Sequence, residues 1–248
     1  RGGWVSDTWP PPHTGCSLGS CSFLFHKMAI YDLPAMINFV LQKTGQKQLY
    51  YVGYSQGATI AFIAFSSMPE LAQKIKTFFA LAPVVTMKHA KSPVLKMSFL
   101  LNGKPDILGK GNVTAYLHPL LLQILLGKTD PCANLLFLLG GFNEKNLNMV
   151  RSQQDLEAHE WVSQMVLMSL QEKPPYYQLE KMPVPTAVWS GGEDWVADQR
   201  DILLLLPRIA RLISYVHITD WNHWDFIWGL DGPGHLYSCI VAMVKGSQ

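Results

Sequence analysis

The chain has 248 residues, of which 48% are hydrophobic and 15% charged, with 8 Trp, 9 Tyr, 11 Phe and a formal net charge of +2. This composition excludes an intrinsically disordered chain and is sufficient for one large domain or a core domain carrying an insertion. The 20 Lys and Arg residues are scattered rather than gathered into a basic stripe, so no nucleic-acid partner is expected.

Residues 1–25 are rich in Gly, Pro, Ser and Cys without a usable period, and Trp9-Pro10-Pro11-Pro12 cannot be helix interior. They read as an irregular leader, in which no signal peptide is visible. Apolar residues across 27–44 fall at helical spacing, with Pro34 early and Gly45 as the stop. Residues 48–52 predict a short buried strand, and residues 58–67 a helix of small and apolar side chains. Further strands are expected at 77–85, 185–189 and 213–218, with helical patterns at 201–212, interrupted by Pro207, and at 236–244.

Strands alternating with helices predict an α/β fold built on a parallel sheet covered on both faces. From His89 to about Tyr177 the alternation stops, and Leu-rich segments with Gly and Pro take over. The resulting division is a leader at 1–25, a core formed by 26–88 and 178–248, and a cap or lid insertion at 89–177. Apolar runs such as 117–126 and 135–139 fall short of the roughly 18 residues that span a bilayer, so no transmembrane segment is expected. Cys16, Cys21, Cys132 and Cys239 allow two disulfides or four free thiols, and no His lies at zinc-finger spacing from them. Asn112-Val113-Thr114 is a glycan acceptor if the chain enters the secretory route.

The sharpest chemical signal is Gly53-Tyr54-Ser55-Gln56-Gly57, a G-x-S-x-G pattern between a predicted strand and a predicted helix. A serine in that turn is strained and exposed, and small residues two before and two after let the backbone pass close to its neighbours. The helix N-terminus supplies unpaired N–H groups, and that of Gln56 is a candidate oxyanion donor.

Such a serine needs an imidazole base and an orienting carboxylate, in the chain order Ser, Asp or Glu, His. Trp189-Ser190-Gly191-Gly192-Glu193-Asp194 delivers Asp194 at the carboxyl end of a strand, where such sheets place functional groups. Glu193 and Asp198 are neighbours better read as solvated or capping carboxylates. Among eight histidines, His13 and His26 precede the nucleophile, and His89, His118 and His159 lie in or beside the cap. His217 falls inside a strand as a satisfied core residue, and His235 sits in a Gly-Pro-Gly turn at the surface. His223, in the loop after the last strand, is therefore the candidate base. This chemistry calls for neither a metal nor a cofactor.

Residues 51–57, 78–83, 141–144, 187–192 and 225–229, which include Tyr51-Val52-Gly53-Tyr54-Ser55-Gln56-Gly57 and Asp225-Phe226-Ile227-Trp228-Gly229, closely resemble the gastric and lysosomal acid lipases. The motif likeness runs from about His26 onward. The resemblance implies an α/β-hydrolase fold, a Ser55-Asp194-His223 triad, Gln56 as second oxyanion donor and the insertion as lid. It further implies hydrolysis of triacylglycerols or cholesteryl esters, a secreted or lysosomal location and glycosylation. Leu117, Leu120 and the other cap leucines then form either cap core or a surface that meets a lipid interface.

The chain departs from the family at Tyr54, where His is usual, at Cys132, which has no nearby partner for the cap disulfide, and at 151–177, which is shorter. Few residues precede the elbow strand, too few for the family's early strands and its first oxyanion donor. The expectation is thus a truncated chain with weak or no activity, since one lost donor costs about 100- to 1,000-fold. Two other readings stay open: a peptidase or small-ester hydrolase on the same fold, and a catalytically impaired relative that binds lipid or a partner protein.

Overall fold

The computed structural model describes residues 24–92, 95, 139–141, 143, 145–147 and 177–246. The leader reading, the sequon, most of the insertion, His13, His118, His159, Cys16, Cys21 and Cys132 lie outside the described residues.

The first helical stretch comprises α1 (Leu24–Lys27), a π-turn at Met28–Asp32 and α2 (Leu33–Thr44), with Pro34 in its first turn. Gly45 ends α2 in the left-handed region at φ 66°, the usual glycine stop. Strand β1 (Leu49–Tyr54) then runs straight into α3 (Gln56–Ser67). The short α4 (Pro69–Ala72), not foreseen from sequence, turns the chain into β2 (Ile75–Leu81). Beyond residue 177 come β3 (Thr186–Gly191), α5 (Gln199–Leu205) and β4 (Leu212–Ile218). Pro207 sits in a 3-10 turn at Leu206–Arg208, and the helix expected over 201–212 stops at Leu205 and does not resume, because Leu212 already opens β4. The chain closes with α6 (Asp225–Trp228), a π-turn at Pro233–Tyr237 and α7 (Ser238–Gly246).

The four strands form one parallel sheet in the order β1-β2-β3-β4. Every residue of β3, and all of β2 except Lys76, is buried, as expected for central parallel strands covered on both faces. β1 and β4 border the sheet among the described residues and are only partly buried.

Ala58, Ala61 and Ala64 are fully buried on α3, and their small side chains let the helix lie close to the sheet. Phe78 on β2 meets Phe62 edge-on at 5.0 Å and Phe65 at 5.7 Å. Burying each such ring contributes about 1.5–3 kcal/mol. That packing fixes α3 against the sheet and sets the angle at which the β1–α3 turn leaves it.

Candidate active site

Ser55 lies between β1 and α3 at φ 51°, ψ −114°, a left-handed conformation that serine rarely adopts. It is held there by its own N–H, which donates to the Leu81 carbonyl at 2.9 Å, and by its carbonyl, which accepts from Ala58 and Thr59. A Cβ built on Gly53 would lie 2.7 Å from the Gly57 carbonyl oxygen, so position 53 has no room for a side chain. Gly57 differs from expectation: the nearest described atom to its Cβ position is the Tyr51 hydroxyl at 3.9 Å. The close approach that shapes this elbow is therefore made at one glycine, not two.

The loops after β3 and β4 touch backbone to backbone. A Cβ on Gly191 would fall 2.3 Å from the Trp221 carbonyl oxygen, and one on Gly192 would fall 2.2 Å from that of Thr219. The Gly192 N–H donates to Ile218 and the Glu193 N–H to Trp221. This contact carries Asp194 to the neighbouring loop, where His223 sits.

The His223 Nδ1 lies 2.8 Å from Asp194 Oδ2, and its Nε2 lies 2.9 Å from Ser55 Oγ. Ser55 is 3% exposed, and Asp194 and His223 are fully buried. The second Asp194 oxygen accepts from the N–H groups of Val196 and Ala197, both at 2.8 Å. A carboxylate satisfied in this way accepts a hydrogen bond from Nδ1–H, which leaves Nε2 free to accept from the serine hydroxyl. Three side chains far apart in sequence thus form one hydrogen-bonded line. Gln56 opens α3 beside Ser55 and is buried, with its side-chain amide turned toward the Met28 sulfur.

The discounted groups fall elsewhere. Glu193 is exposed, and His235 is exposed. Asp198 caps α5 by accepting from the Arg200 N–H and pairs with Arg200 and Lys91. Burial opposes its ionisation, but the Arg200 hydrogen bonds and the nearby cations outweigh this and hold its carboxyl below the usual range. His217 is half-buried on β4 and bonded to Ser190 at 3.0 Å, a satisfied strand histidine. His89 pairs with the buried Asp201 at 2.7 Å.

Two features were not assigned roles from the sequence. Tyr54, noted only as a departure from the family pattern, donates its hydroxyl to the His223 carbonyl at 2.7 Å and lays its ring 5.0 Å from the imidazole. Burial first, and then the charges of Asp194 and Asp225, push its pKa well above the usual value, so the hydroxyl stays a donor. Asn222 and Asp225 bracket His223 in a reciprocal capping arrangement. The spacing of N-x-x-D before an apolar turn is its signal in the sequence.

Among the described residues no group of His, Cys, Asp and Glu is placed to hold a metal, and no helix is long and apolar enough to cross a membrane. A recess of about 740 Å³ lined by Gln48, Lys76, Pro183 and Arg211 lies at the amino ends of the strands, away from Ser55.

A profile described as alpha/beta hydrolase fold matches residues 1–230. Lysosomal acid lipase/cholesteryl ester hydrolase of Rattus norvegicus is 41% identical over 98% of this chain and 70% of its own length. Lipase member M of Homo sapiens is 40% identical over 98% of this chain and 66% of its own length. The likeness therefore extends upstream of His26. The alignment with the rat protein covers 278 positions, more than the 248 of this chain, so the relative carries residues that this chain lacks. An esterase (EaEST) from Exiguobacterium antarcticum shares the fold, with a TM-score of 0.53 at 15% identity over 88% of this chain and 74% of that one. The chain belongs to the acid lipase family of the α/β-hydrolases, a family of serine ester hydrolases.

Proposed function

We propose that this chain hydrolyses carboxylic esters of neutral lipids, triacylglycerol or cholesteryl ester, through an acyl-enzyme on Ser55. The reading is carried by the hydrogen-bonded line from Ser55 Oγ through His223 to Asp194. Ser55 Oγ attacks the ester carbonyl while His223 Nε2 takes its proton, and Asp194 stabilises the imidazolium that forms. The Gln56 N–H, at the start of α3, donates to the oxyanion. His223 then returns the proton to the leaving alkoxide, and the alcohol departs. Water, deprotonated by the same imidazole, cleaves the acyl ester and frees Ser55.

The lipid class is supported by relatives that carry acid lipase and cholesteryl ester hydrolase in their names. It is also supported by the apolar leucines of the insertion, which we assign to a cap at 89–177 over a core of 26–88 and 178–248. We further assign the cap an interfacial role toward lipid, and the chain a secreted or lysosomal location.

Labelling with a fluorophosphonate probe tests the chemistry. Attachment at Ser55, abolished by Ser55→Ala, supports it, and long-chain ester turnover exceeding short-chain turnover supports the substrate class. A folded chain in which Ser55 stays unlabelled refutes hydrolysis and favours an impaired relative that binds lipid or a partner.

A further inference from the structure

His223 sits in a turn that depends on its flanking residues for shape. The Asn222 side-chain oxygen accepts from the Trp224 N–H at 2.7 Å and from the Asp225 N–H at 3.3 Å. In return Asp225 Oδ2 accepts from the Asn222 N–H at 2.7 Å. Such a reciprocal pair satisfies the free donors at the start of a helix and fixes the entry angle of the chain. Here the first of the two residues between the partners is the candidate base.

The box is not self-sufficient. Asp225 is fully buried, and one hydrogen bond leaves most of its carboxylate unsatisfied. The remainder is supplied by Asn143 and Asn146, which lie within the segment assigned to the cap. Asn146 Nδ2 donates to Asp225 Oδ1 at 2.8 Å, and Asn143 Nδ2 approaches the same carboxylate at 3.3 and 3.5 Å and donates to the Asp220 carbonyl at 3.0 Å. The backbone follows. The His223 N–H donates to the Gly140 carbonyl at 3.2 Å, and the Leu230 N–H donates to the Asn146 carbonyl at 2.7 Å. Leu147 forms a bridge with Gly229. The loop carrying His223 is thus framed on one side by Gly140, Asn143, Asn146 and Leu147.

We propose that Asn146 and Asn143 are positioning residues of the active site, which set the placement of the His223 imidazole by completing the Asp225 capping box. The proposal rests on His223 being the catalytic base. It assigns a segment of the insertion to the catalytic machinery. Among the described residues of this segment none bonds the imidazole ring through a side chain, so their effect passes through Asp225 and the His223 backbone. A displacement near 1 Å at the base is enough to cost about 100-fold in rate.

The test uses the 248-residue chain labelled with 15N-histidine. Its readouts are the downfield Nδ1–H resonance of His223, the rate of fluorophosphonate labelling at Ser55, and kcat and KM on a long-chain ester. Asn146→Ala is expected to displace or broaden that resonance and to lower kcat and labelling by about 10- to 100-fold, with KM held and the circular dichroism unchanged. Asn146→Asp sets a second carboxylate against Asp225, in a site that Asp231 already makes negative. Its loss at pH 8 is expected to be partly reversed near pH 5, where the two carboxyls share a proton.

A wild-type resonance and labelling rate in Asn146→Ala overturn the proposal. So does a fall in thermal stability alone with the resonance in place. If Asn146→Ala does not fold, the same split is read in Asn143→Ala, whose contacts to Asp225 are longer. If the wild-type chain itself does not label, the hydrolase reading fails, and the resonance still decides whether Asn146 positions the imidazole.

Discussion

The Tyr54 hydroxyl donates to the main-chain carbonyl of His223 at 2.7 Å, which ties the residue before Ser55 to the histidine whose ring meets the Ser55 hydroxyl. The strand that delivers Ser55 and the loop that delivers His223 are therefore linked by one side chain. Tyr54→Phe removes only this bond and keeps the ring against the imidazole. The net value of such a bond is about 1 kcal/mol, so kcat is expected to fall about five- to tenfold with KM nearly unchanged. Steady-state kinetics on a soluble ester measures this, and an unaltered kcat contradicts it.

The two glycines of the elbow are expected to respond differently. In Gly53→Ala the new methyl meets backbone of Gly57 and Ala58 within 2.9 Å, which cannot move without shifting α3. A loss of about 1–3 kcal/mol in stability is expected, together with loss of Ser55 labelling. Gly57→Ala meets nothing closer than 3.9 Å and improves the helical propensity of the first turn of α3. Its denaturation midpoint is expected to equal or exceed that of the wild type.

Asp194 and Asp198 are separable by what each substitution removes. Asp194→Asn takes the acceptor from His223 Nδ1 and disfavours the required tautomer, so kcat is expected to fall by about 10,000-fold with the fold retained. Asp198→Ala removes a helix cap and the anchor for Arg200 and Lys91, both of which are partly exposed and return to solvent. It is expected to cost about 1–2 kcal/mol of stability and little activity. Equal kinetic effects from the two variants contradict these roles.

Burial raises the Asp225 carboxyl to about 6 against the hydrogen bonds from Asn222, Asn146 and Asn143, with Asp231 adding to the rise. The unfolded chain titrates near 3.9. Between these values the folded state holds a proton that the unfolded state has released. The Asp225 contribution therefore favours folding at low pH and is lost as pH rises from about 4 through about 6. In denaturant titrations across pH 4–8, the stability of wild type relative to Asp225→Asn is expected to decline through that window. A difference that stays flat or grows with pH contradicts the assignment.

Much of the site was legible because its chemistry is written in local patterns. G-x-S-x-G between strand and helix marks Ser55, and an apolar strand running into Gly-Gly marks Asp194. A loop after the last strand marks His223. Most strands and helices were placed within a few residues because the strands are rich in apolar residues and α3 is built of small ones, but the helix expected over 201–212 stops at Leu205. The short helices α4 and α6 escaped because four residues carry no measurable period.

The sequence by itself determined the α/β class, the family and the three residues of the line, since strand and helix periodicity and turn chemistry act over a few neighbouring positions. Only the tertiary structure decided that Gly53 rather than Gly57 is sterically required, and that Gly191 and Gly192 bring two loops into backbone contact. It alone placed Tyr54, Asn143 and Asn146 around the His223 turn. The bonds of Tyr54, Asn143 and Asn146 join residues 77 to 169 positions apart, and their energies depend on burial and hydrogen-bond geometry that no local window of sequence contains.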